Sequence, residues 1–431
     1  LAACAVVAAP AHAPAATRPL ARTAVAGRDY RAGEVVVRYA RTAPGPTQRV
    51  IHVRGDVGRA AARLTRRPHV VSASPNWIAH AAYIPNDPGT TGQVGGWMAT
   101  QWNFLNTPAG VDAPDAWDHL IAVGKPGGLG VTVAVLDTGI AYRALGTRFK
   151  RDPDFSQRLR RGYDFVDNDH YAVDQNGHGT HVASTIAEAS DNGLALTGLA
   201  YGATIMPVRV LDRLGEGDSA AIASGIRYAA KQGAKIINLS FEFSATVTAG
   251  EIPDILSALR YAHRKGSLVV AASGNAASAS IAYPARASHV LSVGAITEHA
   301  CQADYSNSGA QLDLSAPGGG PDADGTGDPN CHPEQDPGRD IIQMTFDGSV
   351  RKFGLPDGYM GTSMAAPHVS ATAALVVASG VLGPNPTPDA IERRLKATAD
   401  DLGAPGTDSR YGAGKVNAGR ATAPIVPPPA K

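Results

Sequence analysis

The chain has 431 residues, 44% of them apolar, with 39 Lys and Arg against 38 Asp and Glu and a formal net charge of +1. That length exceeds one ordinary domain and predicts two or more units, and the apolar content is that of a globular enzyme, not of a disordered or fibrous chain. No run of about 18 apolar residues follows the N-terminal stretch, so no membrane span is expected.

The balanced total hides a split. Residues 14–82 carry twelve Arg, no Lys and three acids (Asp29, Glu34, Asp56), a net +9 that leaves −8 for the rest. Opposite signs predict that the two segments dock on each other. The arginines are scattered without interleaved aromatics, which argues against a nucleic-acid partner.

Residues 1–13 are apolar, rich in Ala and end Ala11-His12-Ala13. They read as the remnant of a secretory signal with a small-x-small cleavage site. Leu1-Ala2-Ala3-Cys4 also resembles a lipobox, but apolar sequence continues past Cys4, and ordinary secretion is the expectation. Loss of the signal leaves Cys301 and Cys331, 30 residues apart. An exported chain with two cysteines is expected to pair them, with two free thiols as the alternative.

Residues 27–82 read as a small α/β unit, with strand composition at 33–39, a helical run at 57–64 and a second strand at 69–74. Its size predicts that it leans on a partner. From Tyr83 the rhythm changes. Strands are expected at 131–136, 205–210, 235–239 and 268–272, and helices at 182–188, 219–231, 254–264 and 364–379. Such βαβα alternation predicts a parallel sheet covered on both faces, with a site beyond the C-terminal ends of its strands. Residues 318–340, rich in Gly, Pro and Asp, read as a long surface loop, and the Pro-rich tail 423–431 as a linker stub or disordered end.

Three motifs stand in order on this frame: Asp137-Thr138-Gly139, His178-Gly179-Thr180-His181 and Gly361-Thr362-Ser363-Met364-Ala365-Ala366-Pro367-His368. Asp-Thr-Gly alone is usually a turn, and His-Gly-Thr-His alone usually a packed helix start. Together they supply an orienting carboxylate, a general base and a nucleophile. Ser363 opens a helical run, where an N-terminus favours developing negative charge. Asn275, in Ala272-Ser273-Gly274-Asn275, is the candidate oxyanion donor; as a lone Gly-Asn it would be a turn. His181 and His368 are expected to pack or cap beside the site. Neither zinc-ligand spacing nor a phosphate loop is present.

These motifs and their Asp-His-Ser order resemble the subtilisin-like serine endopeptidases. The resemblance covers residues 83–422 and is closest to the thermitase-like branch, through Tyr83-Ile84-Pro85-Asn86-Asp87-Pro88 and Asp164-Phe165-Val166-Asp167-Asn168-Asp169. It implies a three-layer α/β fold around a mostly parallel sheet, preceded by a propeptide (14–82) that acts as chaperone and inhibitor and leaves by a cut between Ala82 and Tyr83. It implies protein and peptide substrates, secretion and a monomer. Ester-hydrolysing or non-catalytic members of the fold are the alternatives.

The resemblance also implies structural Ca2+. Asp87, Asp154 and Asn192, with the carbonyls of Ala189, Leu194 and Leu196, match one site; Asp164, Asp167 and Asp169 match a second. A side-chain ligand of that second site falls on Val173 here, so Asp174 or Gln175 would have to rebuild it. Substrate would lie as an added strand between Ser240-Phe241-Glu242 and Gly215-Glu216-Gly217, beside Ala272, Ser273 and Gly274. The family usually has Ser-Leu-Gly at the first of these. Glu242 and Glu216 either favour basic residues on the acyl side or point to solvent.

Overall fold

The computed structural model describes residues 30–40, 47–77, 83–156, 158–335 and 337–425. The signal-like segment, most of the Pro-rich tail and residues 78–82 beside the expected cut lie outside them. The chain divides into two compact units, Leu1–Ala79 and His80–Lys431.

In the first unit β1 (Tyr30–Tyr39) is the middle strand of an antiparallel sheet, with β2 (Gln48–His52) on one side and β3 (Val70–Trp77) on the other. The helix Val57–Thr65 starts where Asp56 accepts a hydrogen bond from Arg59 N at 2.8 Å. Val35 and Val37, two apart on β1, meet Val57, Ala60 and Ala61, three and four apart on the helix. Among the described residues five buried side chains make a small core, as expected of a unit this short.

The second unit is built on seven strands, β4 (Thr132–Asp137), β5 (Tyr163–Asp164), β6 (Thr204–Arg209), β7 (Ile236–Leu239), β8 (Leu268–Ala272), β9 (Val290–Ile296) and β10 (Leu314–Pro317). They run in the order β10-β9-β8-β7-β4-β6-β5 and every pairing is parallel. Val133 and Val135 face one core, shared with the helices Ala113–Ala122, His178–Ala187 and Thr362–Ser379. Ala134 and Leu136 face the other, under Ser219–Lys231 and Pro253–Arg264. Burial on both faces is why these strands read as unbroken apolar runs.

Strands β2, β5, β9 and β10 and the helices Ala113–Ala122 and Pro388–Ala397 were not anticipated. Apart from β2 they belong to the second unit, where neighbours stabilise short pieces. The described residues of 318–340 form an irregular segment without helix or named strand, pinned to the body. Cys301 and Cys331 are disulfide-bonded, and Asp322 takes Thr297 Oγ1 at 2.5 Å and His299 Nδ1 at 3.1 Å.

Candidate active site

Register places the chemistry. Leu136 of β4 pairs with Leu239 of β7, which pairs with Ala271 of β8. Asp137, Ser240 and the segment 272–275 therefore leave three neighbouring strands at the same edge, each about 4.8 Å from the next.

Asp137 is fully buried. Its Oδ1 accepts from Thr138 N at 2.8 Å and from His178 Nδ1 at 2.7 Å. An ionised carboxylate only accepts, so Nδ1 carries the proton and Nε2 is left as a base. His178 is the first residue of its helix. Gly179 lets that helix approach, since a Cβ there would overlap Gly139 O. Buried Asp174 ties the approach together, accepting from Thr138 Oγ1 (2.9 Å), Asn176 N (2.8 Å), Gly177 N (3.0 Å) and Thr180 Oγ1 (2.6 Å). Burial lowers the His178 pKa, but the charge and hydrogen bond of Asp137, with help from Asp174, outweigh it and hold the imidazole above its ordinary value. The ring is still 27% exposed at the cleft.

Ser363 lies in the first turn of the helix Thr362–Ser379. Four residues on, Pro367 has no N–H, so the Ser363 carbonyl lacks its helical donor. Ser240 Oγ supplies one at 2.8 Å, and is itself held by Asn238 Nδ2 (2.9 Å), which Ser370 Oγ braces through Asn238 Oδ1 (2.8 Å). Ser363 Oγ donates to Ser240 O at 3.0 Å, which keeps the hydroxyl at the end of β7, beside the strand that carries Asp137.

Asn275 Oδ1 accepts from Thr362 N at 2.8 Å and Thr362 Oγ1 at 2.9 Å. This assigns the amide orientation and turns Nδ2 away from Thr362. Asn275 Nδ2 and Ser363 N donate to no group among the described residues. The loop beneath is braced by buried Asn307, which accepts from Ala276 N (3.0 Å) and Ser278 N (2.9 Å) and donates to Ser273 O (3.1 Å). Asn307, Thr362, Ser370 and Asp174 support the site from scattered positions, with no spacing in the sequence that marks them.

The two proposed substrate walls differ. Gly215-Glu216-Gly217 is an exposed turn closed by Asp212 N to Glu216 O at 2.8 Å, and Glu216 faces solvent. Glu242 is half-buried and turns inward, accepting from Asn275 N at 2.9 Å.

The first calcium group converges. Asp87 and Asp154 are buried, and no Lys, Arg or His pairs with either among the described residues. Asp87 accepts from Asp191 N (2.9 Å) and Asn192 N (3.2 Å), and Asp154 from Asn192 Nδ2 (2.6 Å). Desolvation raises both carboxyl pKa values. The carbonyls of Ala189, Leu194 and Leu196 accept no hydrogen bond among the described residues, whereas Ala195 O between them takes Gly89 N at 2.7 Å. Two desolvated carboxylates and alternate free carbonyls fit a hard cation; Asn192 would turn its amide over to ligate one.

The second group does not fit one. Arg209 Nη1 lies 2.9 Å from Asp164 Oδ2 and 2.6 Å from Asp167 Oδ2. The register Asp164↔Arg209 puts the guanidinium there, so it supplies the positive charge expected of the ion. Asp169 accepts from Tyr171 N, Val173 is buried and Asp174 is committed to the His178 approach.

His181 and His368 are fully buried. His181 stacks on Tyr359 with centroids 4.1 Å apart and bonds Ile341 O through Nε2 at 2.9 Å. His368 bridges Met364 O (2.8 Å) and Asn103 Nδ2 (2.8 Å). Both brace the core next to the site.

A parallel α/β sheet with a histidine–carboxylate pair, a serine on a helix N-terminus and an open amide donor at adjoining strand ends is the framework of a serine hydrolase. The subtilase family model (peptidase S8) matches residues 128–414. The chain belongs to that family and is a subtilisin-like serine endopeptidase. It is 34% identical over 358 residues to the thermophilic serine proteinase of Bacillus sp. (strain AK1), covering 83% of this chain and 74% of that one. It is also 34% identical over 339 residues to thermitase of Thermoactinomyces vulgaris, covering 79% of this chain and 99% of thermitase. A solved structure of the Pseudoalteromonas arctica PAMC 21717 protease has a TM-score of 0.63 and 30% identity, covering 79% of this chain and 99% of that one.

Proposed function

We propose that this endopeptidase is secreted as a self-cleaving precursor and cuts extended protein segments, as a monomer, through Asp137, His178 and Ser363. The carrying observation is the Asp137–His178 hydrogen bond at 2.7 Å on the strand adjoining the one whose end holds Ser363 Oγ. Ser363 Oγ attacks the scissile carbonyl carbon as its proton passes to His178 Nε2. Asp137 holds the Nδ1–H and stabilises the imidazolium. The tetrahedral oxyanion accepts from Ser363 N–H and Asn275 Nδ2. The intermediate collapses as His178 returns the proton to the leaving amine. Water then repeats the sequence on the acyl-enzyme.

The remaining expectations belong to the same reading. Asp87, Asp154, Asn192 and the carbonyls of Ala189, Leu194 and Leu196 would hold one Ca2+, which ties the N-terminal strap of the catalytic unit to the loop after the His178 helix and is structural. Residues 14–82 act as the propeptide. The separate unit Leu1–Ala79 and the opposed charges of the two segments support this.

The test is intact mass and casein hydrolysis of the precursor beside Ser363→Ala, both in calcium. Wild type shortened near Tyr83 and active, with an unprocessed inert variant, is the expected result. Equal shortening of both would remove self-cleavage from the reading. Equal activity of both would remove Ser363 as nucleophile.

A further inference from the structure

Glu242 is an acid in an unexpected place. It lies two residues past Ser240, whose carbonyl receives the Ser363 hydroxyl, and its side chain reaches the loop at the end of the adjoining strand β8. There Oε1 accepts from the backbone N–H of Asn275 at 2.9 Å, the residue whose side-chain amide stands beside the Ser363 helix. The contact is built in. A Cβ on Gly274 would overlap Glu242 Oε2, and Gly274 has φ +111°, so this position admits glycine and leaves the carboxylate its room. On both sides of Glu242 the segment is fastened, by Ser240 Oγ to Ser363 O at 2.8 Å and by Phe243 N to Tyr283 O at 2.7 Å, while Phe241 packs on the apolar core.

The carboxylate is half-buried, yet its one hydrogen-bond partner among the described residues is a neutral amide, and no Lys, Arg or His pairs with it. A carboxylate that has no counter-ion makes a stronger, charge-assisted contact when a cation is brought against it. The substrate residue that gives its carbonyl to Ser363 must carry its side chain off a carbon next to the one Asn275 polarises, within reach of a carboxylate resting on the Asn275 backbone. Long flexible stems ending in a charge, Lys and Arg, can reach Oε2.

We propose that Glu242 makes this protease select Arg or Lys at the acyl-side residue adjoining the scissile bond. The proposal rests on the serine-endopeptidase mechanism above and adds the substrate class. Glu216, exposed on its turn, takes no part in it.

Glu242→Gln separates charge from shape, because the amide oxygen can still accept from Asn275 N–H. The assay is kcat/KM on tetrapeptide anilides that differ only at that residue (Arg, Lys, Phe, Glu), for mature wild type and the variant. Wild type should favour Arg or Lys over Phe by about tenfold or more, and the variant should lose most of that ratio. Added salt should shrink the wild-type ratio and not the variant's. Two results would overturn the proposal: a wild type that prefers Phe, or a variant that lowers all four substrates by one factor, which would make Glu242 only a prop for Asn275. A wild type that cleaves none of the four and whose Ser363 resists a fluorophosphonate probe would refute the mechanism itself, a different outcome from cleavage without selection.

Discussion

Asn307 offers the sharpest check on how the site is held. Asn307→Ala removes an acceptor shared by Ala276 N and Ser278 N and a donor to Ser273 O. Orphaning a buried polar group costs about 1–3 kcal/mol, but the two amides are part-buried and water can reach them, so the sum is about 2–4 kcal/mol. At about 2.1 cal/mol/K per residue of unfolding entropy, a unit of this size should lose roughly 3–6 °C in Tm. The same loop positions Asn275. In subtilisin complete loss of such a donor costs about 10²–10³ in kcat, so a loosened one should cost about 10–10². Calorimetry in a Ser363→Ala background, which stops self-digestion, reads the first quantity; steady-state kinetics on a short anilide reads the second, with kcat falling more than KM rises. A variant within 1 °C of the parent and with unchanged kcat would refute the claim that Asn307 holds the oxyanion loop.

Other outcomes follow from the same geometry. Asp137→Asn should keep the fold and lower kcat by about 10⁴, because the imidazole then takes the wrong tautomer, as active-site titration with turnover would show. Because Asp137 holds the His178 pKa above its ordinary value, kcat/KM should fall as pH drops through a midpoint above 6.5, where the base becomes protonated. Burial depresses His368 to about 4 and His181 to about 3, both below the ordinary 6.5 of the unfolded chain. Their contribution is therefore complete above pH 6.5 and is withdrawn as pH falls towards 4, about 3 kcal/mol for His368 alone; His368→Gln should flatten thermal stability across that window. Chelation should lower Tm, with Ca2+ at a hundred times its Kd restoring about 2.7 kcal/mol. Asp154→Asn should abolish that response, whereas Asp167→Asn, at a carboxylate already paired with Arg209, should leave it in place.

The candidate catalytic residues could be picked out of the sequence because they sit in short glycine-flanked motifs at strand ends and helix starts, where local backbone demands restrict residue choice. Buried parallel strands such as β4 were legible as apolar runs, since both their faces are covered. The disulfide was foreseeable because two cysteines remain outside the signal-like segment, though only the fold brings residues 30 positions apart into bonding range. Tertiary structure alone decided the rest. Strand register put Arg209 between Asp164 and Asp167, turning an expected ion site into an ion pair. The room left by Gly274 lets the Glu242 carboxylate rest on the Asn275 backbone while Glu216 faces water, although the two acids look alike in sequence. Asn307 and Ser370 gained their roles from partners 29 to 34 and 132 residues away. Local pattern encodes the conformation of a segment and its apolar face; which polar groups meet across the molecule depends on packing and register, and those are settled only when the whole sheet and its helices close.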